Sequence, residues 1–266
     1  MDIFVGVAAH KPYPIVDMDG YHPIQVGAKG KNHIKGYLPD DQGDNISDLN
    51  ANFSELTGAY FIWKNVDARY KGLVHYRRYF GMHRVFTHKI NDVLKKVLTE
   101  SQMRQLLKTY DVIVPRERKY YIESNYSHYS NAHNSDDLDE TRKVISNISP
   151  EYLKDFDKVM DSNSAHMFNM YIMKQPIFDE YHRWLFTILS EVRNRIDITS
   201  YSTQEARVFG YISELLLDVW LYKNKVKYTE LPVLYTEKEH IIKKAFGLLY
   251  RKVHGSGRSH IKSSID

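Results

Sequence analysis

Apolar residues recur along this chain at two different spacings. Continuous apolar runs at Ile3–Ala9, Gly72–Tyr76 and Asp111–Pro115 predict buried strands. Apolar positions three or four residues apart, over residues 89–109 and from Pro176 to Val192, predict amphipathic helices. Because strands alternate with helices, we predict an α/β fold with a mostly parallel central sheet. The other predicted elements are strands at 24–26, 165–173 and 231–235, and helices that begin near residues 52, 150 and 202.

Two capping boxes and two aperiodic stretches complete this pattern. Asn52–Glu55 and Ser202–Glu205 have the spacing in which the N-cap and the third helical residue exchange hydrogen bonds, so each is predicted to begin a helix. Residues 11–50 and 116–139 follow no clear period. Loops of this length inside a domain are usually functional, so we expect both stretches to contribute to a site.

Polar segments follow three of the predicted strands. His10-Lys11 follows the first strand, residues 75–79 end the second and residues 116–119 follow the third. Ligands of parallel α/β sheets bind beyond the carboxyl ends of the strands. We therefore expect these segments to converge at one edge of the sheet.

The most informative segment is His75-Tyr76-Arg77-Arg78-Tyr79. Guanidinium groups pair with phosphate oxygens in a bidentate manner and stay charged, so two adjacent arginines are suited to a diphosphate. His75 could donate to the same phosphates, and Tyr76 and Tyr79 could stack on a base or a sugar. The alternative is that both arginines form structural ion pairs.

Two acidic segments early in the chain are candidate ligand sites. Residues 40–45, which include Asp44 and Asn45, form a turn that could hold a ribose hydroxyl or a metal ion, or could simply be solvated. Asp17-Met18-Asp19 has the Asp-x-Asp spacing that suits a hard divalent cation. Three-residue patterns recur by chance, however, and this one lies in a loop near the first strand.

Later polar residues offer candidate bases and substrate contacts. His166 and Asn169 interrupt an apolar strand, where a buried polar group needs a partner, either a ligand hydroxyl or the backbone. Glu205 either belongs to the second capping box or could deprotonate an acceptor hydroxyl. A third cluster could include a metal site or a base, or could be a polar loop whose last aspartate begins a helix. Its members are His128, His133, Asp136, Asp137 and Asp139, while Gln204 and Arg207 flank Glu205.

Composition narrows the classes of function. With no cysteine, the chain has neither a disulfide scaffold nor a thiolate metal site. The N-terminus lacks the features of a signal peptide, and no apolar stretch approaches about 18 residues, so we expect a cytoplasmic protein. The net charge is only +4 and nucleic-acid recognition motifs are missing, so no nucleic-acid partner is expected. Glycine-rich dinucleotide, Walker and nucleophile-elbow motifs are also missing, which argues against hydride transfer, P-loop chemistry and serine hydrolysis.

The C-terminal tail differs from the rest of the chain. From Lys243 to Lys262 it holds six lysines or arginines and no acid, together with apolar residues at helical spacing. We predict one domain over residues 1–236 and a basic amphipathic tail over residues 237–266. Such a tail could contact the anionic inner face of the plasma membrane. The alternative is a solvated C-terminal helix.

Taken together, these motifs resemble a bacterial family known as domain of unknown function 4422, whose members occur in capsular polysaccharide, exopolysaccharide and O-antigen gene clusters. The resemblance covers about residues 2–236 and implies a glycosyltransferase with a single GT-A-like, Rossmann-type domain. Some relatives resemble galactofuranosyltransferases that use UDP-galactofuranose and make β linkages with inversion. The matching stretches are Val7–Lys11, Val26–Ala28, Gly43–Ser47, Asn52–Trp63, Gly72–Phe80, Tyr126–Tyr129, Ser164–Met173, Gln204–Gly210 and Ser213–Leu221.

An inverting transferase needs a base for the acceptor hydroxyl and stabilisation of the departing diphosphate. We hypothesise that His75, Arg77 and Arg78 stabilise the leaving UDP. Asp137 is the first choice for the base and Glu205 the second. The nucleotide and donor sugar are expected to contact His10, Lys11, Asp44, Asn45, Glu55, Tyr76 and Tyr79, and the donor sugar or acceptor is expected to contact His128, His166, Asn169 and Gln204.

The expected partners are a UDP-sugar donor and a glycan or lipid-linked glycan acceptor in surface polysaccharide biosynthesis. No metal ligand is assigned, because no Asp-x-Asp pattern follows the strand that holds His75. A divalent manganese or magnesium ion is one option for neutralising the diphosphate, and the arginines acting in its place are the other. The alternative function is a non-catalytic glycan- or nucleotide-binding module of a polysaccharide assembly complex.

Overall fold

A computed structural model describes residues 1–87 and 89–237 and confirms the predicted α/β class. The predicted tail lies outside the described residues from residue 238 onward. Within the described ranges, no helix is both long enough and apolar enough to cross a bilayer. The strands are β1 (Ile3–Ala9), β2 (Tyr21–Gln25), β3 (Leu38–Pro39), β4 (Tyr70–His75), β5 (Arg78–Phe80), β6 (Val112–Pro115), β7 (Arg118–Lys119), β8 (Ser164–Ala165), β9 (Tyr171–Lys174), β10 (Tyr228–Leu231) and β11 (Val233–Tyr235). The α-helices are α1 (Asn50–Phe53), α2 (Leu56–Asn65), α3 (Ile90–Leu94), α4 (Glu100–Thr109), α5 (Asn125–Ala132), α6 (Asp136–Ile148), α7 (Leu153–Asp161), α8 (Gln175–Arg195) and α9 (Val208–Lys223).

The central sheet has the strand order β10-β6-β9-β4-β1-β2-β3. Strand β1 lies between β2 and β4 and is parallel to both, with Val5 opposite Gly72 of β4. Of these seven strands, β9 alone runs against the others, because it pairs antiparallel with both β4 and β6. The sheet is therefore mostly parallel, as predicted. The carboxyl ends of β1, β4 and β6 consequently point toward the same edge.

Two small antiparallel ladders hold the segments that follow these strand ends. β4 turns through Tyr76 and Arg77 into β5, with His75 opposite Arg78, and β5 pairs in turn with β11. β7, which follows β6, pairs with β8 as a separate ribbon. The polar segments after β4 and β6 are thus held by hydrogen-bonded strands.

Both faces of the sheet are covered. Phe4 and Ala8 of β1 belong to a core shared with α2, α6, α7, α8 and α9, whereas Val5 and Val7 belong to a second core that includes residues of α4. Successive side chains of a strand point to opposite faces. A strand buried on both faces therefore needs a continuous apolar run, which explains the pattern of Ile3–Ala9.

Three local predictions were wrong. Residues 116–139 are not one loop, since they contain β7, α5 and the start of α6, and the Ser124 side chain caps α5. The predicted capping box at Asn52 does not form, because Ser54 has a left-handed φ of 53° that separates α1 from α2. The side-chain amide of Asn52 donates to the Ala206 carbonyl instead. The predicted strand at 165–173 is divided into β8 and β9.

One buried carboxylate holds the long loop between β2 and α1. Asp40 accepts hydrogen bonds from the Gly27 and Ala28 N–H groups, both at 2.9 Å. It also accepts from the Thr57 hydroxyl at 2.6 Å and from the Ser47 hydroxyl. Four donors from the loop and from α2 thus compensate the burial of one charge. Asp40 is the anchor that fixes this loop to α2.

We expect Asp40→Ala to lower the free energy of unfolding by about 3 kcal/mol, because it leaves buried donors without an acceptor. The measurement is urea denaturation followed by circular dichroism. Asp48→Ala, which removes an exposed acid of the same loop, is the control and is expected to change stability by less than about 0.5 kcal/mol. Equal losses in the two variants would contradict the anchoring role.

Candidate functional site

The candidate site lies where β4 turns into β5. His75 ends β4 and Arg78 begins β5. The Arg78 guanidinium carbon lies 4.6 Å from the centroid of the Phe168 ring. Two carboxylates from distant segments interact electrostatically with this pair. The charge of Glu55, between α1 and α2, raises the pKa of His75, and the charge of Arg78 lowers the pKa of Glu214 on α9. The fold therefore brings four segments together at the carboxyl edge of the sheet.

A left-handed bend at Phe168 and Asn169 connects these groups, with φ values of 81° and 47°. The Phe168 carbonyl accepts a hydrogen bond from the His75 imidazole, and the Phe168 N–H donates to the Glu214 carboxylate. Residues other than glycine rarely adopt such backbone angles, although asparagine tolerates them better than most. Conformations of this kind cost of order 1–3 kcal/mol and cluster at functional sites.

The buried side chain of Asn169 fixes one of the carboxylates. Its Nδ2 donates to Glu55 Oε1 at 2.8 Å and to the Gly210 carbonyl at 3.0 Å. Its Oδ1 accepts from the Ser213 hydroxyl at 2.8 Å. A Cβ at Gly210 would lie 3.3 Å from Ser54 Oγ, so this glycine lets the segment between α1 and α2 pack closely against α9. Asn169 therefore sets the position of Glu55 relative to α9.

Glu55 and Glu214 form an interacting pair of carboxylates. Burial, with a smaller contribution from the charge of Glu55, raises the pKa of Glu214 to about 8, while Arg78 and Arg118 oppose the shift. Like charges that share a site disfavour ionisation of one of them. A carboxyl group that titrates near neutral pH can both hold and release a proton, which suits acid–base chemistry.

His75 is a neutral imidazole. Burial lowers its pKa to about 4, against the attraction of Glu55. Its Nε2 is buried and has no hydrogen-bond partner among the described residues. Because the ring proton is donated to the Phe168 carbonyl, Nε2 carries the lone pair and can accept a hydrogen bond from a ligand.

A cluster of cations surrounds His10 at the end of β1. Burial is the largest cause of the lowered pKa of His10, and the charges of four neighbours lower it further. One of them also forms an ion pair, since Arg77 Nη1 lies 3.0 Å from Glu237 Oε2. Several cations near the end of one strand favour the binding of an anion with more than one charge, such as a diphosphate. The four neighbours are Lys11, Lys31, Arg77 and Arg207.

Aromatic rings lie beside these cations. Tyr76 packs edge-on against His10 and Tyr13, with ring centroids 5.5 and 4.8 Å apart. The Arg77 guanidinium carbon lies 5.0 Å from the centroid of the Tyr76 ring. Tyr76 and Tyr79 are both buried in the second core, Tyr79 completely, so neither ring has a free face for the stacking role predicted for it.

The predicted histidines of the region after β6 stack on tyrosines. His128 stacks on Tyr120 with ring centroids 3.9 Å apart, and His133 stacks on Tyr211 at 4.1 Å. Burial raises the pKa of both tyrosines, and the charge of Glu214 raises each pKa further. His128 and His133 thus contact rings that lie near Glu214, and their predicted role as substrate contacts stays a prediction.

The two predicted bases already serve local structure. Asp137, in the first turn of α6, accepts from the Tyr201 hydroxyl at 2.7 Å, and burial raises its pKa. Glu205 accepts from the Ser202 N–H at 3.0 Å, and its own N–H donates to Ser202 Oγ at 3.3 Å. This exchange confirms the predicted capping box at Ser202.

The remaining residues that were predicted to contact substrates lie at three separate places. Gln204 contacts the Tyr211 hydroxyl and so lies beside the site. Asp44 and Asn45 lie in the loop before α1, where the Asn45 amide donates to carbonyls of its own loop. His166 is fully buried beyond the end of β8, where burial opposes its charge but hydrogen bonds to carboxylates raise its pKa overall.

The prediction from sequence missed Glu214, Lys31 and the role of Arg207. Glu214 lies in the apolar helix Val208–Lys223, which looks like an ordinary core helix. The signal that could have identified it is a carboxylate inside such an apolar run, because a charge there needs a specific partner. Lys31 carried no such signal, since it lies in an aperiodic loop.

The cation cluster does not fit an additional metal ion that bridges phosphates. The groups around His10 are ammonium and guanidinium groups, which repel a divalent cation. Asp17 and Asp19, which have the Asp-x-Asp spacing, are both exposed in the loop before β2. The protein's own cations can supply the positive charge that such an ion provides elsewhere.

The raised pKa of Glu214 predicts a pH-dependent cost in stability. Since the folded protein keeps a proton that the unfolded chain releases, stability should fall as the pH rises from the usual glutamate range through about 8. Glu214→Gln removes this cost. We expect the variant to be at least about 1 kcal/mol more stable than the parent at pH 8, with a smaller difference at pH 5. A difference independent of pH in urea denaturation would contradict the assignment.

Two comparisons bear on this arrangement. Residues 4–225 match the family model described as Domain of unknown function (DUF4422). The fold is similar to the apo structure of WbbM, a bifunctional glycosyltransferase, with a TM-score of 0.82 and 26% sequence identity. The match covers 90% of this chain and 46% of the WbbM chain, so this chain spans about half the length of that protein. A search of curated proteins finds no match.

Proposed function

Because the chain belongs to the domain of unknown function 4422 family, and because its fold resembles half of a bifunctional glycosyltransferase, we propose that it is a glycosyltransferase. It moves a hexose from a nucleotide-sugar donor to a glycan or lipid-linked glycan acceptor. The single observation that carries this function is the apposition of cations and carboxylates at one edge of the sheet. A group transfer between two oxygen atoms needs both kinds of charge.

The cations would bind the donor diphosphate. Arg77 and Arg207 approach His10 from different parts of the chain, the first from the β4–β5 turn and the second from the residue before α9. As the bond between the anomeric carbon and the phosphate oxygen breaks, negative charge grows on the departing nucleotide. Fixed guanidinium groups stabilise that charge more than the charge of the intact donor, and this lowers the barrier.

Glu214 would act as the base in place of Asp137 or Glu205. The acceptor hydroxyl gives its proton to the Glu214 carboxylate while its oxygen forms the new bond to the anomeric carbon. A base with a pKa close to the working pH is efficient in such a step. Glu55, held by Asn169, opposes loss of the Glu214 proton in the free enzyme, and Arg78 opposes its retention.

The donor we favour is UDP-galactofuranose, used with inversion to give a β product. The family resemblance supports this choice, whereas Tyr76 is buried in the second core and its ring is packed against His10 and Tyr13. The process we expect is the synthesis of a surface polysaccharide. Peripheral contact with an anionic membrane through the basic tail stays a prediction, because that tail lies outside the described residues.

The direct test is nucleotide release from UDP-galactofuranose and UDP-galactose, with a lipid-linked or synthetic galactoside as the acceptor, with and without EDTA. We expect release that depends on the acceptor and is faster with UDP-galactofuranose. Absence of turnover with every nucleotide sugar, together with retained glycan binding, would favour the non-catalytic binding module instead.

The cation cluster is tested by Arg207→Ala and Arg77→Ala. Each is expected to weaken UDP binding by about 10- to 100-fold in calorimetry, because a charge-assisted contact to phosphate contributes about 1.5–3 kcal/mol. Arg183→Ala, which removes an exposed arginine of α8, is the matched control and should leave the affinity unchanged. Equal affinity in all three variants would exclude the proposed diphosphate site.

The base is tested by Glu214→Gln. We expect kcat to fall by at least about 100-fold, while the affinity for UDP stays within twofold, because general-base catalysis typically contributes 10²–10⁴-fold. Glu151→Gln, an exposed acid before α7, is the control. If Asp137→Asn loses the activity and Glu214→Gln keeps it, the base is Asp137.

A further inference from the structure

Three potential metal ligands meet near the edge strand of the sheet. Glu117 follows β6, His166 follows β8 and Glu230 lies on β10. One ligand atom from each lies within 4.8 Å of the other two, and His166 Nε2 is 3.2 Å from Glu230 Oε1. Three separate segments of the chain therefore direct one imidazole nitrogen and two carboxylates to a common point.

The side chain of His166 is held in position on its Nδ1 side. His166 is completely buried, and its Nδ1 contacts a carboxylate oxygen of Asp218, which is also buried. The backbone N–H of His166 donates to the second oxygen of Asp218 at 2.9 Å. When Nδ1–H donates its hydrogen bond to Asp218, the lone pair of the neutral ring is on Nε2, on the side of Glu230 and Glu117. Metal-binding histidines are commonly oriented by a carboxylate in this way.

The local charge also favours a cation. Three carboxylates, from Glu117, Asp218 and Glu230, surround one imidazole, so even a protonated His166 leaves an excess of negative charge. The Tyr222 hydroxyl donates to Glu117 Oε1 at 3.3 Å and so orients that carboxylate. Asp218 is buried, whereas Glu117 is half-buried and Glu230 is exposed, so a divalent ion would neutralise the two glutamates at the rim of the buried histidine.

We propose that the protein binds one divalent transition-metal ion, of the Zn²⁺ class, through His166 Nε2 and one carboxylate oxygen each from Glu117 and Glu230. Asp218 orients the histidine without touching the ion. One imidazole and two carboxylates are typical ligands for zinc, and water completes the coordination. This site is separate from the cations around His10.

The ion has a structural role in this arrangement. It links the edge strand β10 to the segment after β6 and to the segment after β8. Asp218 lies four residues after Glu214 on α9, so the two carboxylates are on the same side of the helix, one turn apart. The bound metal thus braces the helix that carries the proposed base.

The test uses the full chain after dialysis against EDTA. Zinc is added with calorimetric detection, the metal content is measured by elemental analysis after desalting, and cobalt(II) serves as a spectroscopic probe. We expect one zinc per chain, a higher melting temperature with zinc than with EDTA, and visible absorption bands from bound cobalt.

Two variants and one control locate the site. Glu117→Gln and Glu230→Gln are each expected to weaken zinc binding by at least about tenfold and to remove the zinc-dependent shift in melting temperature. Glu151→Gln, an exposed acid, should bind zinc as the parent does. These variants avoid His166, whose replacement could prevent folding.

Two outcomes would overturn the assignment. One is the absence of stoichiometric binding of zinc or cobalt by the folded parent protein. The other is binding that survives in both glutamine variants, which would place the metal elsewhere. If Glu230→Gln lowers the melting temperature while zinc has no effect on the parent, His166 is instead a protonated bridge between Asp218 and Glu230.

Discussion

The left-handed bend at Phe168 and Asn169 is the constraint on which the site depends. It ends the run of extended backbone after β8 and turns the Phe168 peptide so that its carbonyl meets His75 and its N–H meets Glu214. Two unfavourable backbone conformations are maintained because the Asn169 side chain is fully hydrogen-bonded to Glu55, Gly210 and Ser213. The bend thus joins the end of the sheet, the α1–α2 junction and α9 in one rigid unit.

Around this bend the protein separates its charges. Positive groups gather at His10 and the β4–β5 turn, while Glu55 and Glu214 lie together at α9, where burial raises the pKa of Glu214. In a site partly closed to water, each group acts more strongly on its neighbours than it would at the surface. A reaction that moves negative charge in one direction and a proton in the other is suited to such a field.

Much of the architecture could be predicted from the sequence. β1, β4 and β6 have continuous apolar runs because they are buried on both faces, and α8 shows a clear helical period. The sequence analysis also singled out His75 at a strand end and Asn169 as a polar residue in apolar surroundings, and the structure places both beside Glu55. Regions with few apolar residues were less predictable. α5, for example, is stabilised by the Ser124 cap and by tertiary contacts, which leave little periodic signal.

The surroundings of Glu214 and Arg207 could not be predicted, because they depend on the approach of α9 to segments more than 100 residues earlier in the chain. Asp137 and Glu205 were attractive in sequence because they lie in polar surroundings. In the fold, those surroundings are the start of a helix and a capping box. The polar residues around Asp137 and Glu205 therefore indicated helix ends. The contacts that raise the pKa of Glu214 come from distant segments, so the sequence next to Glu214 gives no sign of them.

The pairing of β5 with β11 has a consequence for the order in which the protein can mature during synthesis. β5 comes from the first third of the chain, but its partner is the last described strand, and β9 must enter between β4 and β6 before the sheet is continuous. Until α9 has been synthesised, the apolar side chains of β1 and β4 that share a core with α9 would stay exposed to solvent. The continuous sheet therefore forms only after β9, β10 and β11 have joined strands made much earlier, which gives the fold many contacts between distant parts of the chain.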